Sequence, residues 1–122
     1  VGTTLSENGN VLLIIGDLSF FYDVNALWNN ELSGNLRILL LNNNGGKIFH
    51  HLEGLNQSPA LSNYIAAHHT ATAQGICNSF NCHHKAITET TEINEALNWL
   101  LATDFKRPAV LEILATNDLS SK

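Results

Sequence analysis

Positive charge is scarce in this chain. Of 122 residues only 6 are Lys or Arg, against 11 Asp or Glu, and the formal net charge is -5. A surface that grips a phosphate backbone needs clustered Lys and Arg, so nucleic acid is not an expected partner. Cysteine is nearly absent as well. Cys77 and Cys82 alone cannot form the disulfide framework of a small secreted domain, and a cytoplasmic setting is the expectation. No apolar run approaches the ~20 residues that a membrane span requires. The longest runs, residues 11–15 and 36–41, have the length of strands, and the polar first ten residues lack a basic-then-apolar signal pattern. Methionine is missing altogether, so the sequence is expected to be a fragment or a processed product. Charged residues make up 14%, and uncharged polar side chains, above all Asn, fill the gap. The 44% of apolar residues is enough for a core and argues against disorder. The length suits one domain spanning residues 1–122.

The apolar pattern changes period along the chain. Residues 11–15 (Val-Leu-Leu-Ile-Ile) are continuously apolar, as in a parallel strand buried on both faces. Gly16-Asp17 interrupts the run, and Ser19 is a candidate N-cap for a helix with Phe20, Val24, Leu27 and Trp28 on one face. A second strand is predicted over 36–41, followed by a loop, Asn42-Asn43-Asn44-Gly45-Gly46. A short helical turn is expected at 48–52, a surface loop at 53–62 and a short helix near 64–67. A helix over 70–79 would bury Ala73, Ile76, Cys77 and Phe80, and 84–88 is a third strand. Thr91 would cap a helix that carries Glu92 and Glu95 in its first turn and buries Ile93, Leu97, Leu100 and Leu101. Residues 109–115 form the fourth strand. This alternation of strand and helix predicts a three-layer α/β/α fold around a mainly parallel sheet.

In open α/β sheets ligands bind beyond the carboxyl ends of the strands. Two loops leave that end with useful donors: Gly16-Asp17-Leu18-Ser19 and Asn42-Asn43-Asn44-Gly45-Gly46. One helix and one strand separate them, so both can reach one point. Asp17 offers a carboxylate oxygen, Asn43 an amide oxygen, and the glycine loop a backbone carbonyl. Three oxygens with one negative charge are half a cage for Mg²⁺, complete only if phosphates and water supply the rest. The N–H groups of Leu18 and Ser19, at a helix start, would favour an anion. The pattern reads as Mg²⁺ bridging protein to a diphosphate, although a Gly-Asp pair and an Asn-Gly run are also ordinary turns. Other phosphate motifs fail. Gly16 lacks the partners of a dinucleotide fingerprint, Gly46-Lys47 is followed by Ile48 rather than Ser or Thr, and a receiver domain would need more acids than Asp17 at the first strand end.

These residues resemble the thiamine-diphosphate motif, which opens with Gly-Asp-Gly and closes with Asn-Asn. The resemblance implies Mg²⁺ ligation by Asp17, Asn43 and the backbone carbonyl of Gly45. Leu18 stands where the generic motif has Gly. With that departure, residues 16–27 (Gly-Asp-Leu-Ser-Phe-Phe-Tyr-Asp-Val-Asn-Ala-Leu) and 42–49 (Asn-Asn-Asn-Gly-Gly-Lys-Ile-Phe) are similar to the 2-succinyl-5-enolpyruvyl-6-hydroxy-3-cyclohexene-1-carboxylate synthases of menaquinone biosynthesis. The similarity is weak after Pro59 and returns at residues 107–113. It implies the C-terminal, diphosphate-binding domain of a larger enzyme whose substrates are 2-oxoglutarate and isochorismate. It further implies Ile48 and Phe49 as an apolar wall near cofactor and substrate. The activating Glu and most substrate-binding Arg residues would lie outside this chain, and Arg37 and Arg107 do not match them. The excised domain is therefore expected to be inactive alone and to self-associate through bared surface.

Two other readings compete. One is a domain of a different thiamine-diphosphate enzyme, of the acetolactate-synthase kind; the other is a flavodoxin-like binding module with no such cofactor. His50-His51, His68-His69 and His83-His84 look like metal ligands, yet neighbours on a strand point to opposite faces. Cys77 and Cys82 lack the second pair of a zinc site. Core or surface roles are expected for all of these, and packing roles for Trp28 and Trp99.

Overall fold

A computed structural model of the chain describes residues 9–43 and 71–114. The turn at 48–52, the loop at 53–62 and the helix near 64–67 lie outside them, as do the pairs His50-His51 and His68-His69. Four strands, β1 (Val11–Gly16), β2 (Leu36–Asn42), β3 (His83–Ile87) and β4 (Ala109–Leu114), form one sheet in the order β1-β2-β4-β3. All three pairings are parallel. Helix α1 (Asp17–Tyr22) continues into a 3-10 turn, Val24–Trp28; α2 (Gln74–Ser79) precedes β3; and α3 (Ile93–Ala102) precedes β4.

Alternation along the strands sorts side chains into two cores, one on each face. Leu36, Ile38, Leu40 and Val110 pack with Phe20, Leu27 and Cys77 beneath α1 and α2. Ala109, Leu111 and Ile87 pack with Ala96 and Leu100 of α3. The predicted three-layer architecture is thus present, with β2 and β4 at its centre. In β4 the residues from Ala109 to Glu112 are all buried, as befits a central parallel strand covered on both faces, and Glu112 is the one charged residue among them.

The structure corrects several local expectations. Residues 11–15 were expected to be buried on both faces, but β1 lies at the sheet edge, with Leu12, Leu13 and Ile14 exposed by 46%, 41% and 60%. Hydrophobic sequence reports strand character there, not centrality. Ser19 is not an N-cap. The helix begins two residues earlier, at Asp17, with Gly16 in extended conformation before it and no side-chain cap. Trp28 is exposed rather than packed, because the change to 3-10 winding rotates it away from Phe20 and Leu27. Leu101 is also exposed: the buried stripe of α3 runs through Ala96 and Leu100, and one more residue turns it outward. Thr91 does not cap α3. Glu89 and Glu92 form a reciprocal capping box around a 3-10 turn, Thr90–Glu92, that leads into it.

Two arginines tie the layers together. Buried Arg37 donates through Nη1 to the carbonyls of Leu100 (2.6 Å) and Thr103 (2.8 Å), fastening the end of α3 to the start of β2. Arg107 donates to the carbonyls of Leu32 (2.6 Å), Asn29 (3.2 Å), Leu27 (3.4 Å) and Phe80 (3.0 Å). These positive charges satisfy carbonyls that regular structure leaves open.

Candidate functional site at the carboxyl end of the sheet

β1 and β2 are neighbouring parallel strands in register, with Gly16 opposite Leu41. Asp17 therefore leaves β1, and Asn43 leaves β2, at the same end of the sheet and on adjacent strands. Asp17 opens α1 and is only 4% exposed. Its carboxylate is thus placed at the strand end, on the side where β2 also ends. Leu18 is half-buried and Ser19 exposed, in the first turn of the same helix. A Cβ added at Gly16 would meet no described atom within 4 Å, so packing among the described residues does not demand glycine at this point. Gly45, Ile48 and Phe49 lie outside the described residues.

Asn43 carries the feature that distinguishes this strand end. Its Oδ1 is buried and has no hydrogen-bond partner. An orphaned buried acceptor costs about 1–3 kcal/mol, so a native chain retains one chiefly where something else completes it. A hard cation suits an amide oxygen, and the nearby strand end contributes a carboxylate. Among the described residues no three His, Cys, Asp or Glu side chains converge as metal ligands. A cation here would thus be held by Asp17 and by neutral oxygens, with further donors from outside the side-chain set.

The adjacent Asn42 has a different task. It is wholly buried and donates through Nδ2 to Glu112 Oε2 (2.8 Å) and to the carbonyl of Ala71 (2.9 Å). Glu112, itself fully buried on β4, also accepts from the backbone N–H of Ala73 (3.1 Å) and pairs with His84 Nε2 at 2.9 Å. Burial alone would raise the Glu112 carboxyl pKa. Hydrogen bonds from His84, Asn42 and Ala73 outweigh it and hold the group below its ordinary 4.5. Sequence reasoning missed this cluster. Glu112 is a single acid inside an apolar strand, and that anomaly was the available signal. His83 and His84 do point apart: His83 stacks on Phe105 with centroids 4.7 Å apart, while His84 turns to Glu112 on the other face.

A cleft of 580 Å³ lies elsewhere, under α1, and is lined by Leu13, Ile15, Phe20, Leu27, Leu36 and Ile38 among others. Neither Asp17 nor Asn43 borders it, so it is not the strand-end site. Cys77, on the fully buried face of α2, is held inert: burial, then Cys82, then Glu112 push its thiol up to about 12.

The fold has counterparts among solved structures. A Rhodococcus jostii thiamine diphosphate-dependent 4-hydroxybenzoylformate decarboxylase superposes with a TM-score of 0.71 at 23% identity, covering 95% of this chain and 22% of that one. No family profile matches the chain. Sequence relatives are more specific. The 2-succinyl-5-enolpyruvyl-6-hydroxy-3-cyclohexene-1-carboxylate synthase of Phocaeicola vulgatus is 41% identical over 119 residues, 97% of this chain. That of Christiangramia forsetii is 38% identical over 122 residues, the whole chain. The chain is a relative of these synthases and spans 21% of the length of each.

Proposed function

We propose that the chain is the C-terminal, diphosphate-binding domain of a thiamine-diphosphate-dependent synthase. In this reading Asp17, Asn43 and the backbone carbonyl of Gly45 would hold Mg²⁺, which would supply positive charge to the cofactor diphosphate. The N–H groups of Leu18 and Ser19 would favour the diphosphate, and the synthase resemblance implies an apolar-wall role for Ile48 and Phe49. The observation that carries the reading is the buried, unpartnered Oδ1 of Asn43, just past the end of the strand that neighbours the one leading into buried Asp17. One carboxylate and neutral oxygens leave a dication undercompensated, which selects an anionic ligand such as a diphosphate.

The cofactor, when bound, supplies the electron sink for decarboxylation of a 2-oxo acid. The chain's own residues bind and orient it: Asp17 neutralises part of the cation's charge, and Asn43 fixes its position without adding more. The whole protein takes 2-oxoglutarate and isochorismate, the substrates expected from the synthase resemblance. Arg37 and Arg107 spend their hydrogen bonds on backbone carbonyls, which supports substrate carboxylates being bound by residues outside this chain. The domain alone is inactive. Its apolar β1 surface meets other protein, within a homo-oligomer in the cytoplasm. Among the described residues no helix is long and apolar enough to cross a membrane.

Titration of thiamine diphosphate with Mg²⁺ into the protein carrying this chain, and into its Asp17→Ala form, tests the assignment. Affinity should fall at least tenfold in the variant, and unchanged affinity refutes the site. Turnover with pyruvate but not with isochorismate and 2-oxoglutarate would instead select an acetolactate-synthase-like activity.

A further inference from the structure

We infer that Glu112 is a positioning residue for the cation site, acting through Asn42 to set the orientation of Asn43; this rests on the diphosphate reading above. Asn42 and Asn43 are consecutive, one ending β2 and the other entering the loop. Asn42 Nδ2 is clamped between Glu112 Oε2 at 2.8 Å and the Ala71 carbonyl at 2.9 Å. Glu112 sits on the neighbouring strand β4, fully buried, and is immobilised in turn by the Ala73 N–H and by His84. The same carboxylate therefore gathers the end of β2, the chain entering α2 and the strand β3. With the Asn42 side chain fixed, rotation of the backbone into Asn43 is restricted, and the Asn43 Oδ1 stays buried without a partner instead of relaxing to a protein donor. Asn42 and Ala73 are both donors, and the Ala73 N–H lies 3.1 Å from each carboxylate oxygen. A glutamine presents only one acceptor oxygen, and its NH₂ opposes one of them.

The test uses Mn²⁺ with thiamine diphosphate, free Mn²⁺ being counted by electron paramagnetic resonance, on the protein carrying this chain. Glu112→Gln should weaken Mn²⁺ retention roughly tenfold, the usual scale for a group behind a ligand. Asn42→Ser should do the same, and the double variant should lose no more than either single one. Ile87→Val, a loss of packing in the other core, should leave retention unchanged while lowering stability. Equal retention in Glu112→Gln and the parent, while Asp17→Ala loses it, overturns the positioning role alone. Additive losses in the double variant overturn transmission through Asn42. Retention unaffected by Asp17→Ala overturns the diphosphate reading itself.

Discussion

His84 Nε2 lies 2.9 Å from Glu112 Oε1, joining β3 to β4 through a carboxylate that is wholly removed from solvent. The pair shows how this domain meets the cost of an acid in its interior. Every donor around Glu112 comes from a different segment of the chain, so the charge is stabilised only once those segments have assembled.

That dependence gives a pH signature. The Glu112 carboxyl is held below 4.5 in the folded protein and returns to its ordinary value on unfolding. The unfolded chain therefore binds the proton more readily in the interval between the two values. Its contribution to stability is complete above pH 4.5 and is lost as the pH falls through the folded value. Urea midpoints measured from neutral pH downward should decline below that point. In Glu112→Gln this part of the decline should vanish; a variant curve parallel to the parent's would contradict it.

Gly34 is the position at which a side chain is forbidden. A Cβ there would lie 1.6 Å from the backbone oxygen of Phe105, and backbone cannot move aside as a side chain can. Gly34→Ala should destabilise by about 1–3 kcal/mol or more, as overpacking does. Gly75→Ala, in α2 with no atom within 4 Å of the added methyl, should stabilise by roughly 0.5–1 kcal/mol. Opposite shifts in chemical-denaturation midpoint are expected, and a shared sign would refute the packing at one of the two.

The two thiols should be silent. With its pKa raised to about 12, Cys77 carries almost no thiolate at mildly alkaline pH, and burial raises Cys82 despite the nearby Arg107. Alkylation by iodoacetamide should be slow in the folded protein and fast in urea. Rapid modification of the folded form would show that α2 opens readily.

Arg37→Met should cost on the order of 1–3 kcal/mol for each buried carbonyl left without a donor. Those of Leu100 and Thr103 are the principal candidates. Thermal unfolding reads the loss, and a neutral result would mean that solvent reaches both.

The strands were legible because they are predominantly apolar, with single charged residues at Arg37 and Glu112: β2 and β4 lie within a residue of the positions expected from periodicity. The edge location of β1 was not legible, because an apolar edge strand reads in sequence like a central one. The start of α1 at Asp17 was hidden by Ser19, a good capping residue in the wrong place. At the site, Asp17 and Asn43 were visible as local turns that leave strands. Glu112 was not, since its partners Asn42, Ala73 and His84 are 70, 39 and 28 residues away in sequence. Local pattern finds polar groups in turns at strand ends; it does not find a carboxylate whose meaning comes from three distant segments.

In the proposed site the buried acceptor of Asn43 is completed by a cation. Thiamine diphosphate binding to the protein carrying this chain, measured by calorimetry with and without Mg²⁺, tests this directly when repeated on Asn43→Ala. The parent should gain affinity strongly with Mg²⁺, and the variant should lose at least tenfold of that gain while remaining folded. An identical Mg²⁺ dependence in the two proteins would contradict it.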